Sequence, residues 1–143
     1  MIKIRKALPI EIEKCLEIRH KVFIEGQNVP AEEEIDGKDY DCDHYLLFEN
    51  RFHVGTARVR FLEDFAKIER VAILEECKGR GYGKALMLKI ISDVEENKGI
   101  NLFKLSAQIQ ALDFYAKLGF TATSDTVYMD AGIPHMDMKY AKT

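Results

Sequence analysis

The sequence has few cysteines, no long apolar run and no excess of positive charge. Its three cysteines, Cys15, Cys42 and Cys77, are odd in number and widely spaced, which favours free thiols in a reducing compartment. No apolar run approaches the roughly 18 residues that a membrane span needs. A net charge of −3 gives no general attraction to nucleic acid. We therefore expect neither a membrane nor a nucleic-acid partner.

Internal repeats, low-complexity segments and linkers are also missing, and residues 1–6 show no signal-peptide core. Metal-binding spacings such as C-x-x-C or H-E-x-x-H do not occur. The 143 residues suit one domain with a core of its own. These observations predict a single cytoplasmic domain, residues 1–143, that holds no metal.

Hydrophobic periodicity predicts a mixture of strands and helices. Strands are predicted near residues 2–5, 44–49, 53–62, 66–74, 102–107, 120–122 and 136–140. Helices are predicted over residues 9–24, 83–98 and 111–118, and an irregular loop over residues 130–135. Strict alternation along the strand over residues 66–74 would place Ile68 on the opposite face from Val71 and Ile73. All three are apolar, which indicates a β-bulge near Arg70.

Residues 32–43 are strongly acidic, with seven carboxylates opposed only by Lys38. One interpretation is a solvated surface loop with a short helix near residues 31–35. A calcium loop fits poorly, because its first ligand would be a glutamate and Asp43 would replace the bidentate glutamate at its end. The better alternative to a surface loop is an acidic lip that attracts a cationic acceptor such as an amine. In the strand over residues 53–62, alternation places Arg58 on the side opposite Ala57 and Val59.

An anion site is predicted where the strand ending near Leu74 meets a glycine-rich loop and a helix. Gly79, Gly81 and Gly83 allow a ligand to approach the backbone closely. The unpaired N–H groups and the dipole at the helix start favour negative charge, most simply a phosphate or pyrophosphate. Three side chains add full positive charge: Lys78, Arg80 and Lys84.

Two familiar phosphate motifs do not fit this loop. The Walker A pattern G-x-x-x-x-G-K-[ST] fails because Lys78 replaces its first glycine and Ala85 its serine or threonine. The dinucleotide pattern G-x-G-x-x-G fails because its third glycine would fall at Lys84, one position after Gly83. Residues 78–83 instead resemble [QR]-x-x-G-x-[GA], the pyrophosphate loop of the GNAT superfamily of N-acetyltransferases, with lysine at the first position. From the loop alone, an ordinary glycine turn before a helix is an equal alternative.

A second motif makes the resemblance specific. Residues 108–120 resemble the GNAT signature N-x-x-A-x-x-x-Y-x-x-x-G-F, with Gln108 in place of asparagine. Residues 22–30, the acidic run and residues 132–135 resemble the small bacterial ElaA-like branch. The resemblance implies an α/β (α+β) GNAT fold. Its mixed central sheet has about six or seven strands, flanked by about four helices and splayed between the fourth and fifth strands.

The resemblance also implies acetyl-coenzyme A as the co-substrate. It places the pyrophosphate on residues 78–84 and the pantetheine amides on the backbone of the preceding strand. A backbone N–H near Ile73 is the candidate oxyanion donor. The cofactor-binding candidates are Val71, Ala72, Ile73, Lys78, Gly79, Arg80, Gly81, Tyr82, Gly83, Lys84 and Gln108.

Tyr115 occupies the family's usual general-acid position, and we favour this role over that of a packed core aromatic. Glu69 matches a position where many members hold a base, and a plain surface carboxylate is an equal alternative. Gln27 and His135 are the candidates for acceptor binding. No histidine or aspartate is paired with Cys77 by spacing, so no covalent acyl-enzyme is expected.

The resemblance thus predicts an acetyl-coenzyme A-dependent N-acyltransferase that acts by direct transfer on a small-molecule or peptide amine. The alternative is a catalytically silent coenzyme A-binding sensor or partner-binding module of the same fold. The resemblance is compatible with a homodimer, because many relatives dimerise.

Overall fold

A computed structural model describes residues 1–142 and shows one open mixed sheet. Within that range the sheet has eight strands: β1 (Ile2–Lys6), β2 (Asp43–Glu49), β3 (Phe52–Leu62), β4 (Phe65–Ile73), β5 (Leu102–Gln108), β6 (Thr121–Ala122), β7 (Tyr128–Asp130) and β8 (Ile133–Ala141). Their order across the sheet is β1-β2-β3-β4-β5-β8-β6, and β7 pairs with β8 outside this path. The predicted mixed sheet is confirmed, with one strand more than expected.

Four α-helices accompany the sheet within the described residues: α1 (Ile12–Arg19), α2 (Ala31–Glu34), α3 (Tyr82–Lys98) and α4 (Leu112–Lys117). Helix α3 lies against the face of β2 that carries Tyr45, whose hydroxyl donates to Asp93 at 3.2 Å. Tyr45 pairs with Ala57, so Arg58, the next residue of β3, points to the opposite face, which α1 covers. None of these helices is long and apolar enough to cross a membrane.

The sheet splits between its fourth and fifth strands, as predicted. β4 and β5 run parallel but pair only at Ala66 with Phe103 and at Lys67 with Lys104. Beyond Lys67 the two strands diverge, so the backbone groups of β4 that face β5 have no strand partner there. The split therefore provides unpaired peptide groups along the wall of a gap.

The predicted β-bulge near Arg70 is present in β4. Arg58 of β3 pairs with Glu69, but Thr56 pairs with Ala72, so two residues of β4 oppose one of β3. Arg70 takes a φ of 56°, an uncommon conformation for a residue with a Cβ. The bulge turns Arg70 toward α2, where its guanidinium lies 2.7 Å from the carboxylate of Glu34.

The helical segment predicted over residues 9–24 is present, but it is not one uniform α-helix. The segment is a 3-10 turn (Pro9–Glu11), then α1, and then a wide π-helical turn (His20–Glu25). Glu11 accepts the backbone N–H of Leu8 at 2.9 Å, which caps the start that the apolar residue 8 cannot cap itself. The π-helical turn departs from the 3.6-residue period, and its Val22 and Phe23 line the gap.

The prediction of an irregular loop over residues 130–135 is wrong. β7 and β8 form a hairpin whose two connecting residues, Ala131 and Gly132, have φ of 53° and 78°. Positive φ at both positions is typical of a type I′ turn, which matches the twist of the strands. Alanine is unusual at the first of these positions, because the turn favours asparagine or aspartate before glycine. For this reason the hairpin was not recognised from the sequence.

Candidate active site

Two adjoining cavities run from the glycine loop into the split in the sheet. The first, here called the loop cavity, has a volume of about 400 Å³ and is lined by the glycine loop, the start of α3 and Phe114. The second, the gap cavity, has a volume of about 380 Å³ and lies between β4, β5 and the β7–β8 hairpin. Val71, Ile73 and Lys78 line both cavities, so the two adjoin along this wall, and together we call them the channel.

The glycine loop ends in an arrangement of N–H groups suited to an anion. Gly79 and Gly81 both have positive φ, 81° and 78°, and nothing lies within 4 Å of where their Cβ atoms would be. Alternation of such residues forms an anion-binding nest. Gly81 is the N-cap of α3, so the N–H groups of the first helical turn point toward the same space. The loop can hold a pyrophosphate through its backbone.

The side chains of the loop differ in their roles. Lys84 has no ion-pair partner within residues 1–142, whereas Lys78 lies 3.0 Å from Glu75. Arg80 lines neither cavity, because Glu49 holds its guanidinium at 2.5 Å and also accepts a hydrogen bond from Tyr82. Gly83 has a packing role, since a Cβ there would lie 3.1 Å from the ring of Phe114.

Tyr115 lines the gap cavity on the side of α4. Its ring packs edge-on against Phe114 at 5.0 Å and Phe120 at 5.9 Å between centroids. Its hydroxyl makes no hydrogen bond to any other side chain or backbone group in residues 1–142. Burial raises the pKa of this phenol to about 12. The hydroxyl is therefore protonated at neutral pH and could donate to a group in the gap.

Glu69 lies on the β4 wall of the gap, but three positively charged side chains surround its carboxylate. Arg58 donates to it at 2.9 Å and Arg60 at 3.2 Å, and the amine of Lys67 lies 3.7 Å away. Burial raises the pKa of Glu69, but the hydrogen bond from Arg60 and the charge of Arg58 outweigh burial and hold that pKa below its ordinary value. A carboxylate held ionised in this way is a weak proton acceptor.

Part of the acidic segment turns inward, while its exposed Glu33 lines the gap cavity. Glu34, Asp36 and Asp39 contact three arginines, Arg19, Arg58 and Arg70; together with Glu69 we call them the arginine cluster. Arg19 and Arg58 are each 1% exposed. The charge of these acids is neutralised within the fold, so they give little support to the idea that the segment attracts a cationic acceptor. The short helix predicted near residues 31–35 is present as α2.

The predicted acceptor-side residues both line the gap cavity. Gln27 accepts a hydrogen bond from Gln108 at 2.8 Å, and Gln108 accepts one from Gln110 at 2.5 Å. Gln108 thus links the end of β5 to the segment that follows the π-helical turn. His135 lies directly across from Gln108 in the pairing of β5 with β8.

The polar residues on the hairpin side of the gap were not predicted from the sequence. Tyr128 of β7 lines the gap, donates to Asp137 at 2.6 Å and hydrogen-bonds Ser106 of β5. Its ring stacks on that of His135 with 6.1 Å between centroids. If the hairpin had been recognised from the sequence, the alternation of its residues would have indicated that Tyr128, His135 and Asp137 lie close together.

The arginine cluster is expected to make the fold labile in acid. A hydrogen bond from Arg58 is the main cause that holds the pKa of Asp36 well below its ordinary value. Burial raises the pKa of Asp39, but hydrogen bonding and charge from Arg19 outweigh it, so that pKa is also lowered. As the pH falls, these carboxylates therefore take up protons in the unfolded chain before they do so in the folded protein. The free energy of unfolding decreases as a result.

We expect the free energy of unfolding to be nearly constant from pH 7 to about pH 5 and to fall steadily below about pH 4.5, where free carboxylates begin to protonate. Urea unfolding at a series of pH values measures it. Asp36→Asn should be less stable at pH 7 and lose less on acidification. A wild-type curve that stays flat to pH 3, or one that the variant parallels, would contradict this prediction.

A split mixed sheet, a glycine-rich anion site at a helix start and a phenol in the split together define an acyltransferase type of site. The family model described as "Acetyltransferase (GNAT) domain" matches residues 16–142. The chain therefore belongs to the GNAT acetyltransferase family.

Individual relatives agree with this assignment. The chain is 34% identical over 128 residues to the uncharacterized N-acetyltransferase YjcF of Bacillus subtilis, covering 90% of this chain and 91% of the relative. It is 32% identical over 133 residues to the protein ElaA of Escherichia coli, covering 90% and 86%. The crystal structure of ElaA superposes with a TM-score of 0.85 at 29% identity over 98% and 99% of the two chains. The resemblance inferred from the sequence is confirmed.

A more distant GNAT acetyltransferase, from Elizabethkingia anophelis, was crystallised with acetyl-CoA bound. It superposes with a TM-score of 0.71 at 20% identity over 99% of this chain and 98% of that one. At this identity the likeness shows the shared fold.

Proposed function

We propose that this protein transfers an acetyl group from acetyl-coenzyme A directly to an amine of a small molecule or peptide. The observation that carries the proposal is the channel of two adjoining cavities, one lined by the glycine loop and the other by Tyr115. A pyrophosphate on the loop would direct the rest of the carrier along β4 toward the split in the sheet. The unpaired peptide groups beyond Lys67 supply hydrogen bonds for an extended chain of amides.

Some residues of the channel bind the carrier, and others take part in the chemistry. The nest at Gly79 and Gly81, the start of α3 and the free charge of Lys84 bind the pyrophosphate. A backbone N–H near Ile73 stabilises the oxyanion, and the protonated phenol of Tyr115 donates to the departing sulfur. Neither sulfur protonation nor acceptor binding requires a covalent intermediate on the protein.

The test is acceptor-dependent release of free thiol from acetyl-coenzyme A with a panel of small and peptide amines. Release that requires both the protein and an amine supports the proposal. Binding of acetyl-coenzyme A without release from any amine would favour a silent coenzyme A-binding module instead. Binding of ATP or NADH but not acetyl-coenzyme A would end the proposal.

A charge reversal at the loop provides a sharper version of this test. Lys84→Glu places a carboxylate where the pyrophosphate is proposed to bind, and we expect KM for acetyl-coenzyme A to rise about tenfold, with a smaller effect on kcat. Lys117→Glu on α4 changes the net charge identically, but its residue lines neither cavity. Equal effects of the two changes would show that the loop does not bind the carrier.

A further inference from the structure

The ring of His135 is held in one orientation at the wall of the gap. Its Nδ1 lies 2.7 Å from the carbonyl oxygen of Ile133. A carbonyl can only accept, so the network assigns the hydrogen to Nδ1 and leaves Nε2 with a free lone pair. Tyr128 stacks on the ring with 22° between the planes, and Asp137 in turn holds the hydroxyl of Tyr128.

The free nitrogen of His135 is not sealed inside the protein. The residue is only 8% exposed, and Nε2 has no hydrogen-bond partner within residues 1–142. In the same part of the chain, the only sealed side-chain nitrogen or oxygen without a partner is Arg58 Nε. His135 Nε2 must therefore contact open space, and the gap cavity is the space that His135 lines.

Glu69, the residue expected from the sequence to act as base, is a poorer proton acceptor in this geometry. Arg58 and Arg60 donate to its carboxylate at distances of 2.9 to 3.3 Å, with Lys67 nearby. Protonation of Glu69 would leave the buried guanidinium of Arg58 with one carboxylate fewer. Accepting a proton on His135 Nε2 breaks no hydrogen bond that the structure contains.

We propose that His135 is the general base of the transfer, accepting on Nε2 the proton that the acceptor amine must lose. The assignment rests on the proposed N-acetyl transfer. As the amine nitrogen bonds to the thioester carbon and the carbon–sulfur bond breaks, the N–H proton passes to Nε2. The phenol proton of Tyr115 passes to the sulfur, and solvent restores both groups. Glu69 then has a positioning role, holding Arg58 and the bulged wall of β4 in place.

His135→Asn is the first test, because the amide can still donate to Ile133 but cannot take up a proton. We expect kcat with a saturating amine to fall about 100-fold and the affinity for acetyl-coenzyme A to remain unchanged. His53→Asn is the matched control, since His53 contacts Glu17 at 3.1 Å and lines neither cavity. Glu69→Gln should cost less kcat than His135→Asn.

Chemical rescue decides between a base and a merely structural role. Free imidazole added to His135→Ala should restore turnover at least about tenfold, because it can occupy the vacated space and accept the proton. Full activity of His135→Asn, or a loss in His135→Ala that imidazole does not restore, would overturn the assignment. If instead the wild-type protein shows no amine-dependent thiol release, the proposed function fails before His135 is questioned.

Discussion

Tyr115→Phe is expected to lower kcat about 100-fold while leaving the affinity for acetyl-coenzyme A nearly unchanged. The substitution removes only the hydroxyl, which has no hydrogen-bond partner within residues 1–142. The edge-on packing of the ring against Phe114 and Phe120 is retained. Stability should therefore be unaffected, and the loss would report the missing proton donor rather than a damaged fold. Steady-state thiol release and acetyl-coenzyme A titration measure the two effects.

Tyr140→Phe is the control for this prediction. Tyr140 packs against Phe120 at 5.5 Å between centroids, so it belongs to the same aromatic group, but it does not line either cavity. Its variant should turn over like the wild type. Undiminished turnover in Tyr115→Phe would mean that water or another group protonates the sulfur.

Arg58→Met is expected to lower the free energy of unfolding by about 3 kcal/mol, the largest stability effect predicted for this chain. Arg58 is 1% exposed and donates to Asp36, Asp39 and Glu69. Removing one member of a buried ionic group leaves the others with uncompensated charge in a poorly solvated site. The acidic segment also loses the hydrogen bonds through which Arg58 holds Asp36 and Asp39 to the sheet.

Arg60→Met is the matched control, two residues further along the same strand and on the same face. Its side chain is 21% exposed and, within residues 1–142, its only carboxylate partner is Glu69, so we expect a loss below about 1 kcal/mol. Urea unfolding at pH 7 measures both variants. Similar losses for the two would show that burial of Arg58 adds nothing to the strength of the cluster.

The order of the main elements could be predicted from the sequence, and so could the glycine loop at which we propose that the carrier binds. Apolar periodicity reports which residues face a core, so it located α3 and the long strands. The phase slip between Ile68 and Val71 is itself the signature of a bulge, and it correctly indicated the bulge at Arg70. Two motifs on consecutive strand–helix units were sufficient to identify the family.

The contacts of charged residues could not be predicted in the same way. Alternation in β3 shows that Arg58 lies opposite Ala57, and on a two-layer protein that face would be exposed. In this fold α1 and the acidic segment cover it, and their contacting residues Arg19 and Asp39 lie 39 and 19 positions earlier in the chain. Pairing at such sequence separation leaves no local pattern, so the acidic segment was interpreted as a loop or lip.

The sequence by itself determined the class of fold, the glycine turn at the start of α3 and the phenol at position 115, because backbone geometry and motif spacing are local properties. Only the tertiary structure decided which titratable groups are free to react. It neutralises Glu69 with arginines, fixes the ring of His135 through Ile133 and Tyr128, and leaves Nε2 without a hydrogen-bond partner within residues 1–142. The reason is physical: the proton affinity of a side chain depends on the charges, hydrogen bonds and solvent around it, and those neighbours are brought together by folding.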